Sequence, residues 1–360
     1  MESQEMPERA DGVREAASDE AKITTLAEAA ELWPKMTQQS KADEGASASA
    51  SASAGAAPPG RSGFLDAYYH FVAPEDLVPA GPGRAASTAA RHAMLGAIRP
   101  QGRAVVEVRD GGDASLTGAS TVVDIVTDDM PYLVDSLTME LNRHSADVRL
   151  IVHPLLIVHR DVAGAIRGAI RPRGIDDSGE NGAVQESWIH VELSHVADQR
   201  TLGADLRRVL DDVRVAYEDQ RRMRSAAREL VTVLADFGGP KEAEASELLA
   251  WLSAGHFTFL GFREYEFAGQ QRKPVPGTGL GILRHDAPDE DQAMPQLTGA
   301  KLSLLGLAKS STMSTVYRPS YLDYVGLRKF DPETGEATGE FRFLGLYTQA
   351  AYTESITRIP

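Results

Sequence analysis

The feature that most constrains this fold is a change of hydrophobic period near residue 129. Residues Thr121–Thr127 form a short run rich in β-branched residues, which is typical of a strand. The apolar residues that follow have helical spacing, at Met130, Leu133, Val134, Leu137 and Leu141. We predict that Asp128 or Asp129 caps this helix and that Pro131 lies in its first turn.

Further strand and helix patterns surround this unit. Ala104–Val108 is a predicted hairpin partner of Thr121–Thr127, and Ser187–Leu193 is a later strand. Val148–Val158 is also strand-like, and Pro154 within it indicates an edge position or a bulge. Two successive helices are then predicted from apolar residues at Leu202, Leu206, Val209 and Val213, and at Met223, Ala227, Leu230 and Leu234. This order predicts an α+β fold with a ferredoxin-like βαββα sandwich.

A second, β-rich region is predicted after Gly238 and Gly239. A short helix over Glu242–Ser253 leads into it. The predicted strands are His256–Phe267, Gly281–Arg284, Leu302–Ala308, Tyr321–Phe330 and Glu340–Tyr347. Thr353–Ser355 has the pattern of another helix start, so we expect the carboxyl end to be truncated.

The first sixty residues differ from the rest. They hold eleven Asp and Glu against five Lys and Arg, and they end in an Ala/Ser/Gly run, Ala46–Ala57, typical of a flexible linker. Within them, Ala21–Met36 has the spacing of one short amphipathic helix. We therefore predict four regions: a disordered tail and linker over 1–60, a ferredoxin-like domain with amino-terminal helices over 61–220, connecting helices over 221–255, and a β-rich domain over 256–360.

Composition excludes several classes of function. The chain has no cysteine, which removes disulfides, thiolate nucleophiles and thiolate metal sites and suits a reducing compartment. The net charge of −15 disfavours nucleic acid and anionic lipid as partners. With no signal-peptide pattern and no membrane-length apolar run, we predict a cytoplasmic protein.

Four candidate motifs have simpler interpretations. Gly277, Gly279 and Gly281 lack the preceding strand and following helix of a dinucleotide loop, so we interpret them as a turn. The paired carboxylates Asp128 and Asp129 are interpreted as helix caps rather than as an acid–base pair.

The remaining two motifs are a group of histidines and a run of arginines. A metal site built from His153, His159, His190 and His195 is disfavoured, because His190 and His195 would lie on opposite faces of a regular strand. The arginines of residues 207–228 are interleaved with acids, which favours a solvated helix face or a salt-bridged subunit contact. We predict no catalytic residue, no metal ligand and no cofactor-binding residue in this chain.

Several longer strings resemble the amino-terminal part of the large NAD-specific glutamate dehydrogenases of bacteria. They are residues 127–136 (TDDMPYLVDS), 139–141 (MEL), 152–154 (VHP), 255–261 (GHFTFLG), 318–324 (RPSYLDY) and 342–348 (RFLGLYT). The resemblance covers roughly Phe64 to Pro360, and it does not extend to the tail.

The resemblance implies a role. It implies ACT-type ferredoxin-like domains that regulate and assemble a homo-oligomeric enzyme, with the NAD-binding core elsewhere in the polypeptide. It also implies that an amino-acid effector could bind where the first strand turns into the first helix, at Asp128, Asp129, Met130, Pro131, Tyr132 and Leu133. Tyr132 departs from the pattern of many ligand-binding ACT domains, which have glycine there, and its bulky side chain is expected to take up space in the pocket.

Two other functions stay open at this point. One is a stand-alone amino-acid-sensing protein of ACT type. The other is an independent hydrolase that uses histidine and carboxylate residues. The chain itself can be an enzyme only under the last hypothesis.

Overall fold

The computed structural model describes residues 8–47, 61–112, 115–173, 182–268, 271–285 and 303–354. It is an α+β structure with two antiparallel sheets. The chain divides into two compact units, Met1–Asp129 with Leu141–Arg207 and Met130–Glu140 with Arg208–Pro360.

The helices of the described ranges differ from those that span a bilayer. None of them combines the length and the apolar character that crossing a membrane requires.

The first unit contains helices and one sheet. Its helices are α1 (Glu8–Ser47), α2 (Arg61–Tyr68), α3 (Pro74–Leu77) and α4 (Gly81–Gly96). Its strands are β1 (Val105–Asp110), β2 (Thr121–Asp128), β3 (Val148–Val152), β4 (Leu155–Arg160), β5 (Ile166–Pro172) and β6 (Ala183–Leu193). The sheet has the order β1-β2-β6-β4-β5, and β3 also pairs with β6. The predicted hairpin of the first two strands is confirmed, since Val105 pairs with Val126 and Asp110 with Thr121.

Pro154 interrupts the sheet as its chemistry requires. The predicted strand Val148–Val158 is divided into β3 and β4, which both pair with β6 in antiparallel fashion. Proline has no N–H to donate, but its carbonyl accepts a hydrogen bond from the Trp188 N–H at 3.1 Å. Strand β5 was not predicted, because Gly164 and Gly168 weaken its pattern.

The amino-terminal region is helical, which corrects the prediction of a disordered tail. The predicted helix Ala21–Met36 lies within α1, which is 40 residues long. Leu26, Ala29 and Trp33 of α1 are buried in the core of the first unit, whereas Ile23 is 68% exposed. Trp33 lies at helical spacing from Leu26 and Ala29, and the three side chains together form the apolar face that holds α1 on the core. Most of the predicted linker Ala46–Ala57 lies outside the described residues.

Two of the three boundaries between the units lie within helices, one in α5 (Leu133–Arg143) and one in α6 (Gln199–Phe237). The prediction of two successive helices over the second range is wrong, because α6 is one helix of 39 residues. Ala216 and Gln220 keep the apolar residues in phase at steps of three and four, and neither Gly nor Pro interrupts the helix between Gly203 and its end. The predicted domain boundary at residue 220 therefore lies inside a helix.

The second unit is built on the other sheet. After α7 (Pro240–Trp251) and a π-helical turn (Leu252–His256), its strands are β7 (Phe257–Ala268), β8 (Gln271–Pro274), β9 (Leu280–Gly281), β10 (Leu305–Met313), β11 (Tyr321–Phe330) and β12 (Ala337–Tyr347). The sheet order is β10-β11-β12-β7-β8, with β9 paired to β7. Each predicted strand overlaps one of these, although Ile282–Arg284 is a turn rather than part of a strand. The helix expected to start at Thr353 is instead α8 (Gln349–Thr353), which ends there.

Candidate functional site

The predicted effector site begins with two aspartates at the end of β2. Because β2 continues to Asp128 and α5 begins only at Leu133, neither aspartate caps the helix, and that prediction is wrong. Asp129 instead accepts hydrogen bonds from Ser187 Oγ and Arg173 Nη1, each at 2.8 Å. Asp128 accepts one from Arg99 Nη2 at 2.6 Å. Both carboxylates are therefore paired with guanidinium groups of the first unit.

The partner of Asp128 belongs to a buried ion cluster centred on Glu186. Arg99 donates to Glu186 Oε1 from Nε at 2.9 Å and from Nη2 at 2.7 Å. Arg160 donates from Nε at 2.6 Å and from Nη2 at 2.8 Å, and the Trp188 indole N–H donates at 3.0 Å. Two carboxylates and two guanidiniums leave the cluster neutral, which is the condition under which buried charges are tolerated.

The other residues of the predicted site belong to the second unit. Met130 and Leu133 are buried, and Tyr132 has a φ of +70°, a left-handed conformation that is uncommon outside glycine. The Tyr132 ring lies against the ring of Tyr317, with 4.9 Å between centroids. Burial is the main cause that raises the pKa of the Tyr132 hydroxyl. The Tyr132 side chain is therefore packed within its own unit.

A second buried cluster, which the sequence interpretation missed, joins the two central strands of the first sheet. His190 Nδ1 lies 2.6 Å from Asp124 Oδ1, and His190 Nε2 lies 3.1 Å from Glu192 Oε1. Arg109 Nη2 donates to Asp124 Oδ2 at 2.7 Å. His190, Asp124 and Glu192 are completely buried.

The charges of this second cluster also balance. Burial alone would lower the pKa of His190, but Asp124 and Glu192 outweigh it and raise the pKa to about 9. Burial would raise the pKa of Glu192, but the hydrogen bonds of His190 and Thr117 outweigh it and lower the pKa to about 2. The pKa of Asp124 is likewise held well below its usual range by His190 and His92 against the effect of burial. An imidazolium and a guanidinium thus face two carboxylates.

His92 of α4 adjoins this cluster as a neutral ring. Burial is the largest cause that lowers the pKa of His92 to about 4. Its Nε2 lies 3.1 Å from the Ile125 carbonyl, which can only accept, so the proton is on Nε2. Its Nδ1 then accepts a hydrogen bond from the Tyr68 hydroxyl at 2.7 Å. The hydrogen-bond partners assign the tautomer.

The same residues form a group in which a metal ion has to be considered. Nitrogen and oxygen atoms of His92, Asp124 and His190 lie within 4.8 Å of one another. Two ligands of one zinc ion stand about 3 Å or more apart, since each bond is about 2 Å long. His190 Nδ1 and Asp124 Oδ1 are closer than that, and His92 Nδ1 is occupied by Tyr68. The geometry fits a hydrogen-bonded network better than a metal centre.

Glu192 also holds the loop between β1 and β2. Its carboxylate accepts hydrogen bonds from Ser115 Oγ and the Thr117 N–H, each at 2.8 Å, and from the Leu116 N–H. A buried carboxylate with several donors is both charged and fixed in position. The loop is thereby attached to the end of β6.

The sequence did carry a signal for these clusters. Glu186, Trp188, His190 and Glu192 alternate along β6, so they share one face of the sheet. Polar residues at this spacing usually face water. Here the aromatic and small residues of α2 and α4 cover that face and bury it, as the core shared by Phe64, Ala89 and Trp188 shows.

The other predicted histidines do not join His190. His153 lies between β3 and β4, His159 is half-buried in β4, and His195 is exposed and follows the end of β6. The structure brings none of the three to a common site with His190 among the described residues.

The glycine-rich and arginine-rich motifs have structural roles in the second unit. Gly277 lies in a turn before β9, and the Gly281 N–H donates to Asp219 Oδ2 at 2.9 Å, as expected for a turn before a strand. Arg222 also donates to Asp219, at 3.0 Å. One acid and one arginine of α6 therefore pair within the helix, whereas the predicted solvated face or subunit contact stays a prediction.

Comparison with known proteins connects this geometry to a family. Residues 64–210 match the family model described as "Glutamate dehydrogenase, ACT1 domain". The matched range starts inside α2, includes the whole first sheet and the beginning of α6, and leaves out α1.

Similar proteins extend the match beyond that domain. The NAD-specific glutamate dehydrogenase of Pseudomonas aeruginosa is 36% identical over 259 residues, which cover 67% of this chain and 16% of that protein. The protein of the same name from Halomonas elongata is 34% identical over 266 residues, with 67% and 16% covered. The one from Mycobacterium tuberculosis is 28% identical over 281 residues, with 75% and 16% covered. The chain thus spans about 16% of the length of these relatives.

Proposed function

We propose a regulatory and assembly role, starting from the fact that this chain belongs to the family of NAD-specific glutamate dehydrogenases and carries its ACT1 domain. In this proposal the oxidation of L-glutamate by NAD to 2-oxoglutarate, ammonium and NADH takes place in a part of a longer polypeptide that the chain does not include. The observation that carries the proposal is the ACT1 match over residues 64–210, in a chain that aligns with only 16% of its relatives.

The proposal includes a ferredoxin-like, ACT-type arrangement of the first sheet. It is supported by the pairing order β1-β2-β6-β3, in which every neighbour is antiparallel. In this order β6 separates β2 from β3, the two strands that flank α5 in the chain. Strand β1, from upstream in the chain, takes the remaining place beside β2.

The proposal also includes an amino-acid effector at Asp128–Leu133 and partners of two kinds. The partners are the rest of the same polypeptide and other subunits of a homo-oligomer. The support for an effector is limited to chemistry: Asp129 and Arg173 at the exposed end of β2 form a polar pair that an amino acid's ammonium and carboxylate groups can exchange with.

Thermal denaturation tests the effector part of the proposal. The purified chain is titrated with each of the twenty amino acids, 2-oxoglutarate and NAD. A ligand at one hundred times its dissociation constant adds about 2.7 kcal/mol, which is a shift of roughly 5–11 °C for units of this size, at about 2–4 °C per kcal/mol. We expect one amino acid to produce a saturable shift that Asp129→Ala abolishes.

Asp161→Ala is the matched control for Asp129→Ala. Asp161 also pairs with an exposed arginine, Arg167 at 2.6 Å, but lies in the turn between β4 and β5. A shift that survives Asp129→Ala, or that Asp161→Ala removes equally, would exclude the proposed position.

A rate measurement tests the division of labour. The isolated chain is incubated with L-glutamate and NAD, and NADH is followed by its absorbance. We expect no NADH above the buffer rate. Glutamate-dependent NADH formation by the chain alone would overturn the regulatory assignment.

A further inference from the structure

A cleft in the first unit lies between the turn that follows α2 and strand β3. Its volume is about 170 Å³, and its walls combine apolar side chains with the polar groups of two residues, Asp76 and His153. The apolar side chains are those of Tyr68, Phe71, Val72, Leu150 and Pro154. An apolar cavity of about 150 Å³ is large enough for a benzene-sized group. The cleft therefore suits the body of a small ligand and is too small for a dinucleotide.

His153 supplies the first polar group of the cleft. It stands in the break between β3 and β4, where Pro154 ends the regular pairing. Burial is the main cause that lowers the pKa of His153, so the ring is neutral at pH 7. Its Nε2 is buried and makes no hydrogen bond to any part of the chain that the structure describes. A buried polar atom left unpaired costs about 1–3 kcal/mol, which a ligand that donates a hydrogen bond would recover.

Asp76 supplies the second polar group. It lies in α3, lines the cleft and is exposed, and the described residues contain no cation paired with it. No Lys or Arg lines the cleft. A carboxylate and a neutral imidazole nitrogen, together with the rings of Tyr68 and Phe71, form the surroundings that an ammonium group prefers.

Helix α1 holds one wall of the cleft in place. Lys22 Nζ donates to the Val72 carbonyl at 2.6 Å and to the His70 carbonyl at 3.2 Å. These carbonyls belong to the turn that carries Phe71, whose side chain is 70% exposed. A fixed turn keeps an otherwise solvent-facing aromatic ring at the mouth of the cleft.

We propose that this cleft is a binding site for a small primary amine with an apolar body. The ammonium group donates to Asp76 and, once the His153 ring has turned toward the cleft, to its Nε2, and the body contacts Phe71, Leu150 and Pro154. The site lies within the first unit and shares no residue with Asp128–Leu133. Its existence does not depend on the proposed function.

Three probes of similar shape distinguish the chemistry of the site. Isoamylamine, isoamyl alcohol and isovalerate carry a cationic, a neutral and an anionic head on the same branched body. Binding to the whole 360-residue chain is measured by calorimetry, and the His153 ring nitrogens are followed by NMR. We expect the amine to bind at least tenfold more tightly than the alcohol, to move the Nε2 resonance, and isovalerate not to bind.

Variants then place the site. Asp76→Asn should remove the preference for the amine over the alcohol, whereas Glu75→Gln, the adjacent exposed acid of α3 that does not line the cleft, should keep it. Leu150→Phe should fill the cleft and abolish binding of both probes. Lys22→Met should weaken both probes equally, because it loosens a wall without removing a polar partner.

The proposal fails if the amine and the alcohol bind the unaltered chain equally, or if neither binds. It also fails if Asp76→Asn and Glu75→Gln behave alike. The comparison of probes on the unaltered chain decides the matter even if a variant does not fold. Because the readout is binding of these probes, a negative result here leaves the effector titration with Asp129→Ala unaffected.

Discussion

Tyr132 and Tyr317 both have left-handed backbone conformations, with φ of 70° and 78°, and their rings pack 4.9 Å apart. Ser136 joins the two segments, because its hydroxyl donates to the Tyr132 carbonyl at 2.6 Å and accepts from the Tyr317 N–H at 3.0 Å. Two non-glycine residues in this region each cost of order 1 kcal/mol, which the ring contact and the shared hydroxyl offset.

Removal of that hydroxyl should therefore loosen the second unit. We expect Ser136→Ala to lower the free energy of unfolding by about 1 kcal/mol or somewhat more, because the Tyr317 N–H loses its acceptor. Urea denaturation measures the difference. Ser320→Ala, whose hydroxyl makes only a 3.4 Å contact with the Tyr321 carbonyl, should change stability little. Equal effects of the two substitutions would contradict the bridging role.

The pKa of His190 predicts a loss of stability on the alkaline side. The folded pKa of about 9 lies above the unfolded value of about 6.5. The folded state therefore binds more protons between these values, so this contribution is complete below pH 6.5 and is lost as pH rises through 9. Its size is on the order of a few kcal/mol at most, since one pKa unit corresponds to about 1.4 kcal/mol. Unfolding free energies from pH 6.5 to 9 should decline, and the His190 ring nitrogens should still report an imidazolium at pH 8.

His92 predicts the opposite slope on the acid side. Its folded pKa of about 4 lies below the unfolded value, so the unfolded state binds more protons between about pH 4 and 6.5. Stability of the first unit should rise with pH over that range and reach its maximum near pH 6.5, where the alkaline loss has not begun. His92→Gln should flatten the acid slope while leaving the alkaline slope intact. An unchanged acid slope in that variant would assign the effect to other groups.

Two glycines of α4 predict opposite results for the same substitution. A Cβ on Gly96 would lie 2.2 Å from the Trp188 ring, which is completely buried, whereas a Cβ on Gly83 meets no atom within 4 Å. Gly96→Ala should destabilise the first unit by about 1–3 kcal/mol through overpacking. Gly83→Ala should be neutral or add up to about 1 kcal/mol, because alanine favours the helix. Thermal midpoints of the two variants provide the comparison.

Helix α1 lies outside the matched range, yet a substitution on its buried face should lower the stability of the first unit. Trp33 is 3% exposed and its ring lies 5.6 Å from that of Phe64, so Trp33→Ala should cost about 3–5 kcal/mol. Ile23, on the same helix but 68% exposed, is the control, and Ile23→Ala should cost less than about 0.5 kcal/mol. A small effect at Trp33, measured by urea denaturation, would mean that the first unit is stable without α1.

Local sequence patterns predicted most helices and strands, but they did not predict which polar side chains are buried. The strand Thr121–Thr127, the hairpin before it and the strands of the second sheet could be predicted because alternation and turn residues are local properties. The length of α1 and the continuity of α6 depend on which apolar side chains are buried. Trp33 and Ala216 are buried only in the folded chain, so local patterns could not predict either property. The burial of Glu186, His190 and Glu192 could not be predicted, since their alternation is that of a solvent-facing strand surface until α2 and α4 cover it.

The two predictions for the candidate site have different outcomes. The segment Asp128–Leu133 was chosen from a resemblance, and whether it binds an effector stays a prediction. The assignment of Asp128 and Asp129 as caps failed because a carboxylate near a helix start has alternatives, and here Arg99 and Arg173 offer stronger ones.

The neutral cluster around Glu186 also limits how related sequences can differ. Loss of Glu186 alone leaves Arg99 and Arg160 buried with like charges, and loss of either arginine leaves two carboxylates with one guanidinium between them. Replacement of one charged residue alone should therefore lower the free energy of unfolding more than replacement of the whole set by apolar residues. In an alignment of relatives these positions should therefore vary as a set, with all the charged residues present together or replaced together by apolar ones.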